Sequence, residues 1–515
     1  MDGIDFGKYT HVNIAFGIPS QDGTFSFEDE WALPQILGQI RAHGPTKALL
    51  SVGGWTGSNH ISNILKNSNN RETFLNSMVN YVKNQNLDGI DIDWEYPGRL
   101  GNTCNAYDAQ NDTPNFLSFL KDLRSKFDSS FGNRGKLITL AVRVQPFDTP
   151  SGPSSDVSEF AKYVDYVNIM AYDIGGPWNA ETGPNAPFNY EQGKGTPLSF
   201  VSSIDAWTNA GFPKEQLVAG LGFYGRSSVA MQDMTRDLNN QYQPQEHNVP
   251  LGDSEDAPWY DSCAGSSSAS GTWQWKNLRA QGVLVNPDTA SGAWTRQWDS
   301  VTQTPWLYNK DTKIYLSYDD PDSIKIKSDY AASRGLAGVM IWSANMDYNN
   351  ELINAARSFG GRGNFSPPDN NISSSEHTKP SSSSRHSSAS SRTRSSKPPR
   401  STTTTTSARA STSSAVSSTA SPTSSSTAAS PTIDSSDTNN SNGLLPGKPC
   451  DENGEYRCID PSGRNSAFLL CNGGVWMPKS CAPATVCLKL NRSIICGWPT
   501  FRLLVQGVDS LIDKL

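Results

Sequence analysis

The sequence predicts an α/β fold, a (β/α)8 TIM barrel, across residues 1–360. Three observations predict it. Short apolar, β-branched runs recur between helix-like stretches, which argues for a parallel sheet. Several of these runs end in polar or aromatic residues, where a barrel places its active site. No Gly-rich phosphate loop follows the first run, as a doubly wound dinucleotide fold would require.

The predicted strands, in order, are HVNIAF (11–16), KALLSVGG (47–54), LDGIDIDWEY (87–96), LITLAVRV (137–144), VDYVNIMAYD (164–173), LVAGLGFYG (217–225) and GLAGVMIW (335–342). Helical patterns such as Arg71–Asn84 and Thr113–Ser129 fall between them. This gives seven strands, one fewer than a closed barrel needs. The interval from Ser227 to Tyr315 is too long for one βα connection. An α+β insertion is expected at about 228–315, before the last strand, carrying Trp259, Trp273, Trp275, Trp294, Trp298 and Trp306.

Beyond the barrel the composition changes. Residues 365–442 are dominated by Ser, Thr, Pro and Ala and cannot bury enough apolar surface to offset ordering entropy, so a disordered linker is expected. Ser/Thr-rich sequence with Pro resembles an O-glycosylated stalk, and sequons stand at Asn364, Asn371, Asn439 and Asn491. Residues 443–498 hold Cys450, Cys458, Cys471, Cys481, Cys487 and Cys496, while Cys104 and Cys263 stand apart. Six cysteines in so short a stretch, without a C-x2-C pair or a His, read as a disulfide scaffold rather than a zinc site. They permit 15 pairings, among which sequence does not choose. Residues 499–515 form an unassigned tail.

The formal net charge of −7 gives no footprint for nucleic acid. No run of about 18 apolar residues suggests a membrane-spanning helix, and VDSLIDKL at the end is too charged for a lipid-anchor signal. The cysteine cluster implies an oxidising, extracellular or cell-wall location, yet MDGIDFGKYTHVNIAFG has neither the basic nor the apolar region of a signal peptide.

The chemistry concentrates in Asp88-Gly-Ile-Asp91-Ile-Asp93-Trp-Glu95-Tyr-Pro. Side chains alternate along a strand, so Asp91, Asp93 and Glu95 share one face and Ile90, Ile92 and Trp94 the other. Acids crowded on the inner face of a barrel repel one another and lose hydration, so their pKa values should rise. A carboxylic acid protonated near neutral pH can protonate a glycosidic oxygen.

DGIDIDWEYP resembles the signature of glycoside hydrolase family 18, the chitinases. Ser51-Val-Gly-Gly54, Met170-Ala-Tyr-Asp173 and Gly338-Val-Met-Ile-Trp342 resemble further family motifs, in order and at strand ends. The resemblance covers residues 5 to about 358. It implies that Glu95 is the proton donor, that Asp93 orients the substrate acetamido group, and that Asp91 shares a proton with Asp93. It implies that Tyr172 helps hold the acetamido oxygen, that Met170 and Asp173 shape the same site, and that Trp342 stacks beneath the sugar. Gly54, Trp55, Tyr96, Tyr224 and Arg226 are further expected substrate contacts. The implied mechanism is retaining and substrate-assisted, an exception to the two-carboxylate scheme, with no metal and no cofactor. Expected partners are chitin or chitooligosaccharides, with no nucleic acid and no membrane, and the chain is expected to be a monomer. The cysteine-rich end resembles a family 19 carbohydrate-binding module, with Tyr456 and Trp476 as candidate sugar platforms or as packing on disulfides.

Two departures from the pattern stand out. The family begins with a strand upstream of the stretch resembling Tyr9–Gly17, and that strand and the signal peptide are expected in a longer gene product. Arg143 places a charge in LAVRVQP, either facing the cleft or at a strand end. The expected activity is that of a fungal-type chitinase. The alternatives are an endo-β-N-acetylglucosaminidase and a non-catalytic chitin-binding lectin; the stalk and module favour polymeric chitin.

Overall fold

The computed structural model describes residues 3–261 and 266–361, and toward the C-terminus the strand segments 456–458, 467–472, 475–480, 486–490 and 493–497. The expected linker and tail lie outside the described residues. Contacts divide the chain into Met1–Lys379 and Pro380–Leu515.

In the first unit, seven parallel strands form the wall of a TIM-barrel-like α/β fold: β1 (His11–Pro19), β3 (Lys47–Gly53), β4 (Gly89–Asp93), β5 (Leu137–Val142), β6 (Tyr166–Ile169), β7 (Leu217–Gly222) and, last in sequence, Gly338–Trp342. A short β2 (Phe25–Phe27) turns back antiparallel on the end of β1. Helices α1 (Leu33–Ala42), α2 (Ile61–Lys66), α3 (Ser68–Asn84), α4 (Asp112–Phe131) and α5 (Phe200–Asn209) return between strands. Every residue of β4 is buried, because helices cover its outer face and the barrel interior its inner one. Ile90 and Ile92 join the core with Phe74, Phe116 and Phe119, and a fully buried Ile contributes about 1.5–3 kcal/mol.

The insertion after β7 is a five-stranded antiparallel sheet built from β8 (Tyr224–Val229), β9 (Thr272–Gln274), β10 (Trp294–Asp299), β11 (Thr304–Asn309) and β12 (Ile314–Ser317), in the order β9-β8-β12-β11-β10. Helix α6 (Trp275–Ala280) packs beside it, and the Trp275 indole N–H donates to Glu351 Oε2 at 2.9 Å. The chain returns through α7 (Pro321–Arg334), whose start has a reciprocal cap between Asp320 and Ser323 with Pro at the first turn. Gly335 at φ +73° ends it. The final barrel strand, Gly338–Trp342, is β13, and α8 (Glu351–Ala356) follows.

The wall is open on one side. Among the described residues, β13 pairs with β7 and β1 with β3, but β1 and β13 share no ladder. All five residues of β13 are only half-buried although three of them are Val, Ile and Met. Side chains span the seam: the Phe16 and Trp342 rings lie 5.5 Å apart, Lys8 Nζ donates to Asn354 Oδ1 at 2.9 Å, and Arg357 donates to the Lys8 carbonyl at 2.9 Å.

In the second unit, segments 456–458, 467–472 and 475–480 form an antiparallel sheet and 486–490 pairs with 493–497. A disulfide joins Cys458 to Cys487. The side chains of Tyr456, Cys450, Cys471, Cys481 and Cys496 are outside the described residues. Trp476 is 4% exposed, and the Arg457 guanidinium lies 5.2 Å over its ring. Cys104, which stands apart in sequence, is disulfide-bonded.

Candidate active site

A cavity of about 1910 Å³ runs along the open seam between β1 and β13 and out over the C-terminal ends of the barrel strands, where Asp91, Asp93, Glu95, Tyr96, Tyr172, Asp173, Arg226 and Trp342 line it. Strand alternation carries Asp91 and Asp93 onto the inner face of β4. The strand ends at Asp93, so Glu95 extends above the barrel rim rather than standing in the wall.

Asp91 is the deepest of the three. Parallel register sets it beside Ser51 of β3 and Thr139 of β5. It accepts from Ser51 Oγ at 2.6 Å, Thr139 Oγ1 at 2.5 Å and Asn168 Nδ2 at 3.3 Å. Burial raises its pKa, and these three hydrogen bonds to the charged form oppose the rise. Asp93 is 6% exposed and its Oδ1 has no hydrogen-bond partner. Burial lifts its pKa well above the ordinary value, with further lifts from the charges of Glu95 and Asp91. Glu95 is pushed up to about 7, chiefly by burial, against a hydrogen bond from Tyr96 that lowers it and the charge of Asp173 that raises it. Three stacked carboxyls therefore hold protons to higher pH than free acids do.

The backbone around them is tight. Gly53 has φ +117°, and a Cβ there would lie 2.1 Å from the Asp93 carbonyl oxygen. A Cβ on Gly54 would meet the Phe16 ring at 3.0 Å. Ser58 Oγ donates to the Gly54 carbonyl at 2.8 Å and accepts the Glu95 amide at 2.9 Å, tying the β3 loop to the base of Glu95.

Opposite, Tyr172 is 9% exposed and shares a small cluster with Tyr224, Met170, Met340 and Trp342. Its hydroxyl reaches Met340 Sδ at 3.7 Å, and its ring stands edge-on to Tyr224 at 6.0 Å. Asp173, at φ +54°, accepts two hydrogen bonds from Arg226, at 2.8 and 3.1 Å. The Arg226 guanidinium also faces the Trp178 ring at 5.6 Å. Trp55 is 47% exposed and Trp178 56%, both at the cleft.

Of the residues named from sequence in the barrel, Asp91, Asp93, Glu95, Trp55, Tyr96, Met170, Tyr172, Asp173, Arg226 and Trp342 line this one cavity, while Gly54 and Tyr224 lie behind its lining. Sequence reasoning missed Ser51, Thr139 and Asn168 as the partners of Asp91, because inter-strand register is not written in any one strand. It also missed Trp178, five residues beyond the Tyr172–Asp173 pair, whose exposure only the fold reveals. Arg143 lies just past the end of β5 and donates to Asp148 Oδ2 at 3.0 Å and Gln145 Oε1 at 2.6 Å, which places it at a strand end. Among the described residues, no group of three or more His, Cys, Asp and Glu side chains is arranged to hold a metal.

Comparison with known proteins places this architecture. The family model for glycosyl hydrolases family 18 matches residues 2–347. A chitinase-like effector of Moniliophthora roreri is 34% identical over 371 residues, covering 69% of this chain and 87% of that protein. Chitinase A1 of Niallia circulans is 32% identical over 372 residues, covering 69% and 49% respectively. The crystal structure of a Rhizomucor miehei chitinase superposes with a TM-score of 0.65 at 36% identity, covering 70% of this chain and 96% of that one.

Proposed function

The chain belongs to the glycosyl hydrolases of family 18, and from that premise we propose that it is a chitinase that cleaves β-1,4-linked N-acetylglucosamine polymers with Glu95 as proton donor. One observation carries the reading: a carboxyl held at about 7 stands at the mouth of the cleft above two buried acids.

In the proposed reaction the substrate's acetamido oxygen attacks its own anomeric carbon while Glu95 gives its proton to the departing glycosidic oxygen. Asp93, whose Oδ1 is unpartnered, accepts the acetamido N–H and holds the group in line. Asp91 supports Asp93 from below through the proton they share. Tyr172 lies across the cleft where its hydroxyl can reach the acetamido oxygen, and Trp342 supplies an apolar face beneath the ring. Glu95, now ionised, then takes a proton from water as the water opens the cyclic intermediate, which returns the original configuration.

The wider proposal is a secreted monomer. Its cysteine-rich end binds chitin and is tethered through the Ser/Thr/Pro-rich stretch, raising the enzyme's effective concentration at an insoluble substrate. Hydrolysis of a chromogenic N-acetylglucosamine oligomer by the wild type, lost in Glu95→Gln, tests the enzyme reading. A second reading, a non-catalytic chitin-binding lectin, is favoured by the effector naming of the Moniliophthora relative. Oligomer binding without turnover would establish it instead.

A further inference from the structure

The loop after β4 folds back tightly over the acid site. A Cβ on Gly101 would fall 2.0 Å from the Glu95 carbonyl oxygen, and one on Gly98, at φ +78°, would fall 2.8 Å from the Asp148 carbonyl oxygen. Between these two close approaches, Arg99 and Leu100 line the cleft beside Tyr96. The backbone is thus pinned on both sides of Arg99, which fixes where its side chain leaves the loop.

Its charge is incompletely matched. The acid nearest to it is Asp148, 3.7 Å from Arg99 Nη1, but Asp148 is already engaged by Arg143 at 3.0 Å. One carboxylate therefore serves two guanidinium groups. The Arg99 side chain keeps 44% of its surface open to solvent, against 13% for Arg143. Of the other arginines lining the cavity, Arg226 is balanced by its two hydrogen bonds to Asp173, and Arg357 stands at the seam, donating to the Lys8 carbonyl. A local excess of one positive charge remains at Arg99.

We propose that Arg99 is a specificity determinant that favours fully acetylated sugars and disfavours units whose acetyl group has been removed. An acetamido group or a sugar hydroxyl can accept a hydrogen bond from the guanidinium. A protonated free amine cannot, and it is also repelled. The inference rests on the chitin-cleaving reading and adds to it a preference along the polymer.

The test compares kcat/KM on an N-acetylglucosamine oligomer with that on the same oligomer partly deacetylated, at a pH where the free amine is protonated. Taking the ratio cancels any loss common to both substrates. Arg99→Gln should shift the ratio toward the deacetylated oligomer by about two- to threefold, the Coulomb effect of one unit charge at roughly 6–8 Å in a water-rich cleft. Arg99→Lys, which keeps the charge, should leave most of the discrimination in place. In the wild type, raising salt from low to about 0.5 M should narrow the discrimination, since screening weakens a charge-borne preference. That arm needs no variant to fold. An unchanged ratio in Arg99→Gln, or a wild-type discrimination that salt leaves alone or widens, overturns the proposal. Loss of activity on the acetylated oligomer in the wild type would instead refute the chitinase reading itself.

Discussion

Replacing Glu95 by Gln should stabilise the protein at alkaline pH while slowing turnover by about 10²–10⁴-fold or more. An ordinary glutamate ionises near 4.5, and Glu95 near 7, mainly because it is buried. At about 1.36 kcal/mol per pH unit, ionising it in the cleft rather than in the unfolded chain costs about 3 kcal/mol. The sign follows from linkage: a carboxyl whose folded value is raised favours folding fully only below the unfolded value, and that contribution is lost as pH rises through the folded one. Between 4.5 and 7 the unfolded chain progressively releases a proton that the folded protein keeps. Above 7 the whole penalty is present. Glutamine has no proton to lose. The variant should therefore gain about 1 kcal/mol over the wild type at pH 5 and about 3 kcal/mol at pH 8.5, a difference of a few degrees in Tm. Urea unfolding followed by tryptophan fluorescence at the two pH values measures it. An advantage that does not grow with pH would refute the argument that burial keeps Glu95 protonated.

Further outcomes follow from the same geometry. Because the donor must hold its proton, kcat/KM should fall as pH rises through about 7, and a pH profile that stays flat to pH 9 would exclude Glu95 as the acid. Trp342→Ala removes the proposed apolar floor and should raise KM by about 10-fold or more, read in steady-state assays on oligomers. Lys327 is fully buried and donates to Asp319 at 2.6 and 2.7 Å and to the Ala186 carbonyl. Lys327→Met strands the Asp319 charge and should cost about 3–5 kcal/mol in chemical denaturation.

Much of the barrel was legible because strand chemistry is local. Seven apolar runs separated by helical patterns sufficed to place seven parallel strands, and β4 announced its inner face by alternating Asp with Ile. What stayed hidden depends on contacts between distant segments. The hydrogen bonds that Ser51, Thr139 and Asn168 give to Asp91 exist only once four strands settle into register. Glu95 continues the alternation in sequence, but the strand stops at Asp93, so its position is set by the hydrogen bonds of its backbone to Ser58 and Asn105. Arg143 read equally well as a cleft residue or a strand-end residue until Asp148, brought round by the following loop, claimed it.

The most direct test of the chitinase reading is hydrolysis of an N-acetylglucosamine hexamer followed by proton NMR of the freshly formed reducing ends, with Glu95→Gln in parallel. The account predicts that the wild type releases products first in the β configuration and that the variant is slower by about 10²–10⁴-fold or more. Products of inverted configuration would contradict the substrate-assisted mechanism, and a folded wild type that binds the hexamer but leaves it intact would contradict the enzyme.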